Sequence, residues 1–467
     1  MVAGGIMLVL FAAWLLFSPR NRKGYVAKLG GLTWKRTQFC RGWLITGDTG
    51  SGKTSSGINQ LAHQVFKNEP TWGGLCIDEK GVYWETLTAM AKHYGREGDL
   101  IQLRIRTGSE DAQWTPQHRF NLTSDRSIPF TTYAKFVVDT ATSLGQGGDK
   151  GFFKSQAQTH IAHALEMLYE LKRPVTLLGA FELLSDRELL EEEMENLESL
   201  LETPRREAVY AHFANRFLNQ PDEQSGGVRE TIGNYLQYFL TPEVAEVFCG
   251  EESTFDFATI DQGKIILTTM PQKFQTERRY VNTFLKLLYY SHALRRFDQT
   301  KTDRAKKNLL ILWADEAQRF MTASEDGTSD YNCVDVIREA GATIVAAAQS
   351  TTSFVPPLGN DKSKVLTLNL RNRMIFRAAD EADAVQAADF LGKKRVVKRS
   401  WGFSAGKRNV NYSETEEHKI KPHKLRNLRD HECVLVHCER GFRRVTLPPL
   451  EFDGTVSGWF PKWKRLL

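Results

Sequence analysis

The octapeptide "GDTGSGKT", residues 47–54, follows the apolar run "RGWLIT" and precedes the segment "SSGINQLAHQVF". It fits the pattern G-x-x-x-x-G-K-[ST] in the order strand, loop, helix that a phosphate-binding loop requires. A chance glycine turn would not account for the flanking strand and helix. We therefore predict an α/β nucleotide-binding domain built around this loop.

Every residue of the loop is a candidate nucleotide ligand: Gly47, Asp48, Thr49, Gly50, Ser51, Gly52, Lys53 and Thr54. The glycines allow successive backbone N–H groups to point at phosphate oxygens, with a helix N-terminus behind them. Lys53 is predicted to reach the β- and γ-phosphates, and the hydroxyl of Thr54 to bind Mg²⁺. The predicted cofactors are ATP and Mg²⁺, because no N/T-K-x-D-like motif for reading guanine stands in a fitting position.

A second carboxylate site for Mg²⁺ is predicted in "LLILWADE", residues 309–316, where an apolar run ends in two acids. Ligands of open α/β sheets collect at the carboxyl edge of the strands. Asp315 is predicted to hold Mg²⁺ and Glu316 to act as general base on the attacking water. A buried strand that meets a helix cap would explain this dipeptide alone about as well, so the prediction depends on its pairing with the phosphate loop.

The segment "REAGATIVAAAQS", residues 338–350, predicts another buried strand, which ends at Gln349. Strands consecutive in sequence are often neighbours in the sheet, so Gln349 is expected at the same edge as Glu316, where its amide could bind the γ-phosphate or the attacking water. A polar strand end facing solvent is the alternative. Arg338 is predicted at the end of the helix "YNCVDVIRE", as an arginine finger for a neighbouring subunit or as a cation that offsets the helix dipole.

Periodicity divides the rest of the chain. Short apolar runs alternate with amphipathic segments before residue 122 and after residue 254, whereas the residues between them have helical spacing, as in the stripe Leu190, Met194, Leu197 and Leu201. The predicted parts are a membrane anchor at 1–19, the nucleotide-binding domain at 20–145 and 251–392, an all-helical domain at 146–250, and a C-terminal basic segment with strands at 393–467.

The first 19 residues carry no charge and are mostly apolar, and Arg20, Arg22 and Lys23 follow them. Residues 2–18 would span roughly 25 Å as a helix, close to the thickness of a bilayer core. Basic residues after the apolar run do not fit a signal peptide and would keep the following domain in the cytoplasm. We predict a single-pass protein of the bacterial inner membrane, with a buried or interfacial helix as the alternative.

Two stretches are strongly basic. Residues 20–41 hold seven Lys/Arg and no acid, and residues 393–426 hold eleven Lys/Arg against three Glu. Such local charge fits a membrane surface or a nucleic acid, although solvated basic faces are as common. The part "GKKRVVKRSWG", residues 392–402, could bind a DNA backbone with Trp401 nearby for stacking, or face solvent or membrane. The stretch around it is predicted to be irregular.

The six cysteines lack C-x-x-C spacing, which favours free thiols in a reducing compartment. In "HECVLVHC", residues 431–438, His431, Cys433 and His437 would share one face of a strand. A strand with incidental His and Cys is the preferred interpretation over a metal site.

These motifs together resemble the conjugative coupling ATPases of type IV secretion, TraG/TraD-like, within the FtsK/HerA group of RecA-like motors. The phosphate loop, "LWADEAQRF" and "REAGATIVAAAQS" fit the family. "CIDEKGVYWETL" is similar to its Asp-Pro-Lys-Gly-Glu motif, but Glu79 replaces Pro and Val82 replaces Glu, which leaves the roles of Asp78 and Lys80 open. Further similarity lies in "GGVRETIGNYLQYFLTPEV", "NLRNRMIFRAADEADAVQAADFLG" and "KIKPHKLRNLRDHECVLVHCERGFRRV".

The resemblance implies a RecA-like P-loop domain interrupted by an all-helical insert domain, with a short N-terminal membrane helix. It implies a homohexameric ATPase that pumps single-stranded DNA, with an attached relaxase, to a type IV secretion channel. The family often has two membrane helices, whereas this chain offers one apolar stretch. A double-stranded DNA translocase of the FtsK/HerA kind is the alternative, and a docking platform that uses nucleotide only to hold a ring together is the third hypothesis.

Overall fold

A computed structural model describes most of the chain, over residues 24–108, 110, 113–145, 151–200, 202–404, 407–452 and 459–461. The predicted membrane anchor, residues 1–19, lies outside these residues. Within the described ranges, no helix combines the length and the apolar composition needed to cross a bilayer.

The chain forms a nine-stranded sheet and three small two-stranded ones. The strands are β1 Ala27–Leu29, β2 Leu32–Trp34, β3 Trp43–Thr46, β4 Gly73–Asp78, β5 Leu100–Arg104, β6 Ile265–Thr269, β7 Leu310–Asp315, β8 Ala342–Ala348, β9 Asn372–Ile375, β10 Lys393–Ser404, β11 Lys407–His418, β12 Glu432–His437, β13 Gly441–Thr446, β14 Leu450–Phe452 and β15 Trp459–Pro461.

The order in the large sheet is β13-β12-β9-β3-β8-β7-β4-β6-β5. The strands from β9 to β5 are parallel, and β12 and β13 add antiparallel to one edge. Every residue of β3, β4, β6, β7, β8 and β9 is buried, as expected for parallel strands covered on both faces. The predicted buried strands and the pairing of β7 with β8 are therefore confirmed.

Helices cover the sheet and fill the sequence between β5 and β6. Their bounds are Arg36–Phe39, Asn59–Asn68, Tyr83–His93, Phe130–Ser143, Gly151–Glu170, Leu177–Ser185, Arg187–Glu198, Pro204–His212, Asp222–Leu236, Pro242–Phe248, Gln275–Arg295, Lys301–Lys306, Asp330–Cys333, Val355–Leu358, Asn360–Asn369, Glu381–Leu391 and Pro422–Arg426. The strands β5 and β6 are neighbours in the sheet, so the chain leaves it, forms a run of helices and returns beside its point of exit.

The predicted apolar stripe lies on the helix Arg187–Glu198, where Leu190, Met194 and Leu197 are buried. Residue 201 lies outside the described residues. The helical character predicted for this part of the chain is thus confirmed, whereas the domain boundaries of the sequence analysis stay predictions.

One prediction about the C-terminal part was wrong. The basic stretch beyond residue 392, expected to be irregular, forms a long antiparallel pair in which Lys393–Ser404 is aligned with Lys407–His418. The error has a physical reason. Strands are recognised in a sequence by the alternation of apolar and polar residues, and a solvent-exposed hairpin does not require that alternation.

The helical region contains a histidine cluster that the sequence analysis did not single out. His160 Nδ1 lies 2.9 Å from His212 Nε2, and the ring of His163 stacks on His212 with centroids 3.9 Å apart. His160 and His212 are buried. Burial first, and then the neighbouring His163, lowers the pKa of His160 to about 4 and that of His212 to about 3, so both rings are neutral in the folded chain at pH 7.

This cluster predicts a loss of stability in weak acid. Because the pKa of His212 is lower in the folded chain than the unfolded value of about 6.5, the unfolded chain binds more protons below that pH, and the free energy of unfolding falls as the pH falls. Between pH 7 and pH 5, we expect the wild type to lose about 2 kcal/mol more than a His212→Phe variant does. Urea unfolding at both pH values measures this difference.

Phe152→Leu, at an exposed residue of the same helical region that carries no titratable group, provides the control and should keep the pH dependence of the wild type. Equal losses in the wild type and in His212→Phe would show that the His160–His212 pair is not held neutral by the fold.

Candidate functional site

The predicted phosphate loop connects β3 to a helix, as the pattern requires. One turn of π-helix, Lys53–Ile58, opens that helix, which continues as Asn59–Asn68. Lys53 is largely buried, and its ammonium donates to the carbonyls of Gly47 and Asp48 at 2.7 and 2.9 Å. Burial lowers the pKa of Lys53, while Glu316 and Asp315 act in the opposite direction, so the loop brings a partly desolvated cation to the two acidic residues.

Two of the loop glycines are required by their surroundings. Gly47 and Gly52 have φ of +156° and +104°, in the region that favours glycine. A Cβ at Gly47 would lie 2.6 Å from Cβ of Phe376, and a Cβ at Gly52 would lie 2.8 Å from Nδ1 of His431. The loop is therefore held close to neighbouring elements, with no room for a side chain at these two positions.

Asp315 and Thr54 are brought together although they are 261 residues apart, with Thr54 Oγ1 and Asp315 Oδ2 at 3.5 Å. Burial, and then Asp78, raises the pKa of Asp315 to about 6. A hydroxyl beside a buried carboxylate is a pair of oxygen ligands of the kind that Mg²⁺ binds, and a cation there would offset the cost of burying the carboxylate charge. These two residues fit the predicted metal role.

Glu316 follows β7 and has a left-handed backbone, with φ of +50°. Such a conformation is costly for a residue other than glycine and persists where its surroundings impose it, commonly at functional sites. One carboxylate oxygen lies 3.8 Å from Lys80 Nζ, and the other accepts a hydrogen bond from Gln318 Nε2 at 2.7 Å. The turn places an acid directly beside Asp315, at the edge of the sheet where the loop lies.

Gln349 lies where the sequence predicted it. Its carbonyl accepts the N–H of Gly47 at 3.1 Å, so the residue is bonded to the first residue of the phosphate loop, and its side chain is exposed. Because β7 and β8 are parallel neighbours, Gln349 and Glu316 share the carboxyl edge. This position fits both the predicted role and the alternative, a polar strand end that faces solvent, so the role stays a prediction.

Arg338 lies at the other end of β8, in the short 3₁₀ turn Ile337–Ala340, and it is exposed. The helix predicted to end there is shorter than expected and covers Asp330–Cys333. The seven residues of β8 separate Arg338 from Gln349 by roughly 20 Å. Arg338 is thus far from the phosphate loop of its own chain, and its role as a finger given to a neighbouring subunit stays a prediction.

The structure gives Asp78 a local role. Its carboxylate accepts the backbone N–H groups of Lys80, Val82 and Tyr83 at 2.9, 2.6 and 2.7 Å, and thereby holds the turn between β4 and the next helix. Asp78 is also aligned with Asp315 on the adjacent strand. Since its lone pairs serve that turn, Asp78 supports the site through its position and its charge.

Arg377 is a site residue that sequence reasoning missed. Its guanidinium donates to both carboxylate oxygens of Asp48 at 3.0 and 3.1 Å and to Asp430 at 2.8 Å. The backbone N–H of Asp48 in turn donates to the carbonyl of Arg377. An arginine after a predicted strand was a usable signal, since β9 lies beside β3 and ends at the same edge.

His431 is the second residue that was missed in this role. It has φ of +65°, its N–H donates to the carbonyl of Ser51, and its Nδ1 lies 2.9 Å from Ser56 Oγ. His437, by contrast, stacks on Trp34, and Cys433 is buried. These three residues were expected on one strand face, and each makes separate contacts. Among the described residues, no three or more His, Cys, Asp and Glu side chains come together in a way that could hold a metal ion.

The site therefore combines a glycine-rich loop at the start of a helix, a desolvated cation, a hydroxyl–carboxylate pair and a further acid at one sheet edge. This set can bind a triphosphate, neutralise its charge and take a proton from an attacking water.

Comparisons with known proteins identify a family and similar folds. A family model described as the type IV secretion-system coupling protein DNA-binding domain matches residues 26–448. The solved structure of the bacterial conjugative coupling protein TrwBdeltaN70, in an unbound monoclinic form, has a TM-score of 0.67 and 16% identity, over 95% of this chain and 92% of that one.

Two further structures are similar to the same degree. The plasmid coupling protein TrwB in complex with ADP and Mg²⁺ has a TM-score of 0.65 and 16% identity, over 94% of this chain and 91% of that one. Its complex with the non-hydrolysable GTP analogue GDPNP has a TM-score of 0.65 and 15% identity, with the same coverage. A search among curated proteins gave no match. Since the family match covers most of the chain, the protein belongs to the family of type IV secretion-system coupling proteins.

Proposed function

We propose that this chain is a membrane-anchored ATPase that couples conjugation to type IV secretion, and that it pumps single-stranded DNA with an attached relaxase to the secretion channel. The meeting of Thr54 with Asp315, beside Glu316 and Gln349, carries the enzymatic part of this proposal. The solved complexes of TrwB with ADP and Mg²⁺ and with a GTP analogue support nucleotide binding. The membership of the coupling protein family supports DNA as substrate.

In this proposal, the backbone of residues 47–54 binds the phosphates, and Lys53 turns from the loop carbonyls toward the β- and γ-phosphates. Thr54 and Asp315 hold Mg²⁺, which neutralises phosphate charge when bound. Glu316 takes the proton of the attacking water, and the amide of Gln349 binds that water or the γ-phosphate. Arg338 of one subunit serves the site of the next in a homohexamer, in line with its distance from its own loop.

The membrane part of the proposal depends on the sequence alone. Residues 1–19 are uncharged and apolar and are followed by three cations, which supports a single-pass anchor in the bacterial inner membrane with the bulk of the chain in the cytoplasm.

The test is the rate of ATP hydrolysis by the full chain against DNA type and protein concentration. The proposal expects stimulation by single-stranded DNA and a specific rate that rises cooperatively with concentration, because sites shared between subunits form only on assembly. Stimulation by duplex DNA alone would favour the alternative, a double-stranded DNA translocase of the FtsK/HerA kind.

The variant Glu316→Gln distinguishes the hypothesis of an ATPase from the hypothesis of a docking platform. Removing the general base is expected to lower kcat about 100-fold, while binding of a fluorescent ATP analogue and DNA remains within a factor of two or so of the wild type. Glu325→Gln, at a glutamate of the following segment whose side chain is 72% exposed, is the matched control. Secretion that persists in Glu316→Gln would favour the docking platform.

A further inference from the structure

The exposed pair β10–β11 has no part in the proposed hydrolysis. We call residues Lys393–Ser404 and Lys407–His418 the basic arm. Of the arm's side chains that the structure describes, none is buried. A lone two-stranded hairpin is marginally stable in water, so an arm of twelve aligned residue pairs suggests a surface on which it rests.

The charge of the basic arm is uneven along its length. In the half near the sheet, Lys394 and Arg395 are aligned with Glu417 and Glu416, and Glu417 pairs with Lys398 at 2.7 Å. Residues 399–404 and 407–412, the distal half, include three Lys/Arg and no acid. The distal half therefore fits a negatively charged surface.

One face of the basic arm carries its aromatic residues. The alternation along the strands places Val397, Arg399 and Trp401 on the same face as their partners, which are Glu414, Tyr412 and Val410. Val397, Trp401 and Tyr412 are 58%, 47% and 67% exposed. The guanidinium of Arg399 lies 4.0 Å from the ring centroid of Trp401.

This composition favours lipid over nucleic acid. Aromatic rings and arginine could stack on bases, but an exposed valine contributes no stacking. Trp and Tyr are enriched at the headgroup level of membranes, and cations near an anionic bilayer each contribute about 1 kcal/mol of binding.

The base of the basic arm lies next to the part of the chain that follows the predicted anchor. Lys419 and Phe390 line a groove with Cys438 and Gly441, at the turn between β12 and β13. On its other side, this turn meets the N-terminal segment, since Arg440 Nη1 donates to Thr33 Oγ1 at 3.0 Å and His437 Nε2 lies 3.1 Å from the carbonyl of Thr33. The arm, about 40 Å long, thus starts where the chain arrives from residues 1–23.

We propose that the distal half of the basic arm docks on the anionic headgroups of the bilayer that holds residues 1–19, with Trp401 and Tyr412 at headgroup depth. This inference depends on the membrane attachment in the proposed function and adds a second contact, which would fix the orientation of the motor relative to the membrane.

Photo-crosslinking in the full chain tests the occupant directly. Tyr412→p-benzoylphenylalanine is reconstituted in vesicles of phosphatidylcholine with or without phosphatidylglycerol, irradiated and analysed by mass spectrometry. Tyr169→p-benzoylphenylalanine, at an exposed tyrosine of the helical region, is the matched control. We expect lipid adducts at position 412 and not at position 169. Arg399→Ala should reduce the lipid adducts at position 412 about fivefold, and single-stranded DNA should not reduce them.

Three results would overturn the inference: adducts of position 412 with an oligonucleotide, adducts with a second copy of the chain, or no lipid adduct above the control while the chain stays with the vesicles. A chain that washes off all vesicles would contradict the membrane attachment as well as the docking of the arm. If that chain still hydrolyses ATP with stimulation by DNA, the enzymatic part of the proposed function holds independently of both.

Discussion

Replacing Lys53 by Ala is expected to lower the rate of ATP hydrolysis roughly 1000-fold and to abolish DNA transfer. The ammonium is largely buried between Asp315, Glu316 and the loop carbonyls, so the charge that it offers to a phosphate is poorly screened by water. Preorganised charge in such a site commonly contributes about 100- to 1000-fold to the rate. Because the proposed motor moves DNA only as it hydrolyses ATP, the loss of hydrolysis is expected to stop translocation as well.

Lys67→Ala is the matched control, because Lys67 is exposed on the helix that follows the same loop. It should retain the hydrolysis rate and DNA transfer of the wild type. The measurements are phosphate release under saturating ATP and a mating assay, with circular dichroism to verify that both variants are folded. Transfer at the level of the wild type in Lys53→Ala would contradict the proposed function, whatever the hydrolysis rate.

The site was predictable from the sequence where strands end. Lys53, Asp315 and Gln349 each follow a run of apolar residues, and parallel strands bring their carboxyl ends to one edge. The approach of Thr54 to Asp315 and the contact of Gln349 with Gly47 agree with that rule, although the distances themselves depend on the order of the strands.

The residues that the sequence analysis missed reach the loop through tertiary contacts, and no spacing in the sequence indicates such contacts. Asp48 and Arg377 are 329 positions apart, and Ser56 and His431 are 375 apart. Both partners approach the loop because β9 and β12 add to the sheet on the far side of β3. Strand order, which local patterns do not contain, was needed to bring them together.

The basic arm was mispredicted for a different reason. Strands are recognised from sequence by the alternation of apolar and polar residues that burial of one face imposes. None of the described side chains of this arm is buried. Its long charged run was therefore interpreted as irregular. In the structure the two strands are aligned without interruption, from the pair of Lys393 with His418 to the pair of Ser404 with Lys407.

Replacing Lys286 by Met is expected to lower the free energy of unfolding by about 3–5 kcal/mol, the usual cost of leaving a buried charge without its partner. Lys286 and Asp330 have no exposed side-chain surface, and they form a salt bridge. The ammonium also donates to the carbonyl of Phe320. Burial lowers the pKa of Lys286, whereas Asp330 acts in the opposite direction.

Asp330 is the centre of a network that holds the segment following Glu316. Its carboxylate accepts Tyr290 OH at 2.6 Å and the N–H of Thr322 at 2.7 Å. Loss of Lys286 leaves a carboxylate that these donors satisfy only in part, whereas loss of both charges in Lys286→Met/Asp330→Asn removes the unpaired charge. The double variant should therefore be more stable than the sum of the single effects predicts, by about 1–3 kcal/mol.

Lys306→Met, at a lysine whose side chain is 72% exposed, is the control and should change the free energy of unfolding by less than about 0.5 kcal/mol. The cycle is measured by urea unfolding at pH 7 of the wild type, Lys286→Met, Asp330→Asn and the double variant. Additive effects would mean that Lys286 and Asp330 contribute independently and that the buried pair does not hold the segment from Phe320 to Asp330. A coupling of the expected sign would identify this pair as a contact that fixes the chain between Glu316 and β8, and that therefore helps to position the acid at the edge of the sheet where the phosphate loop lies.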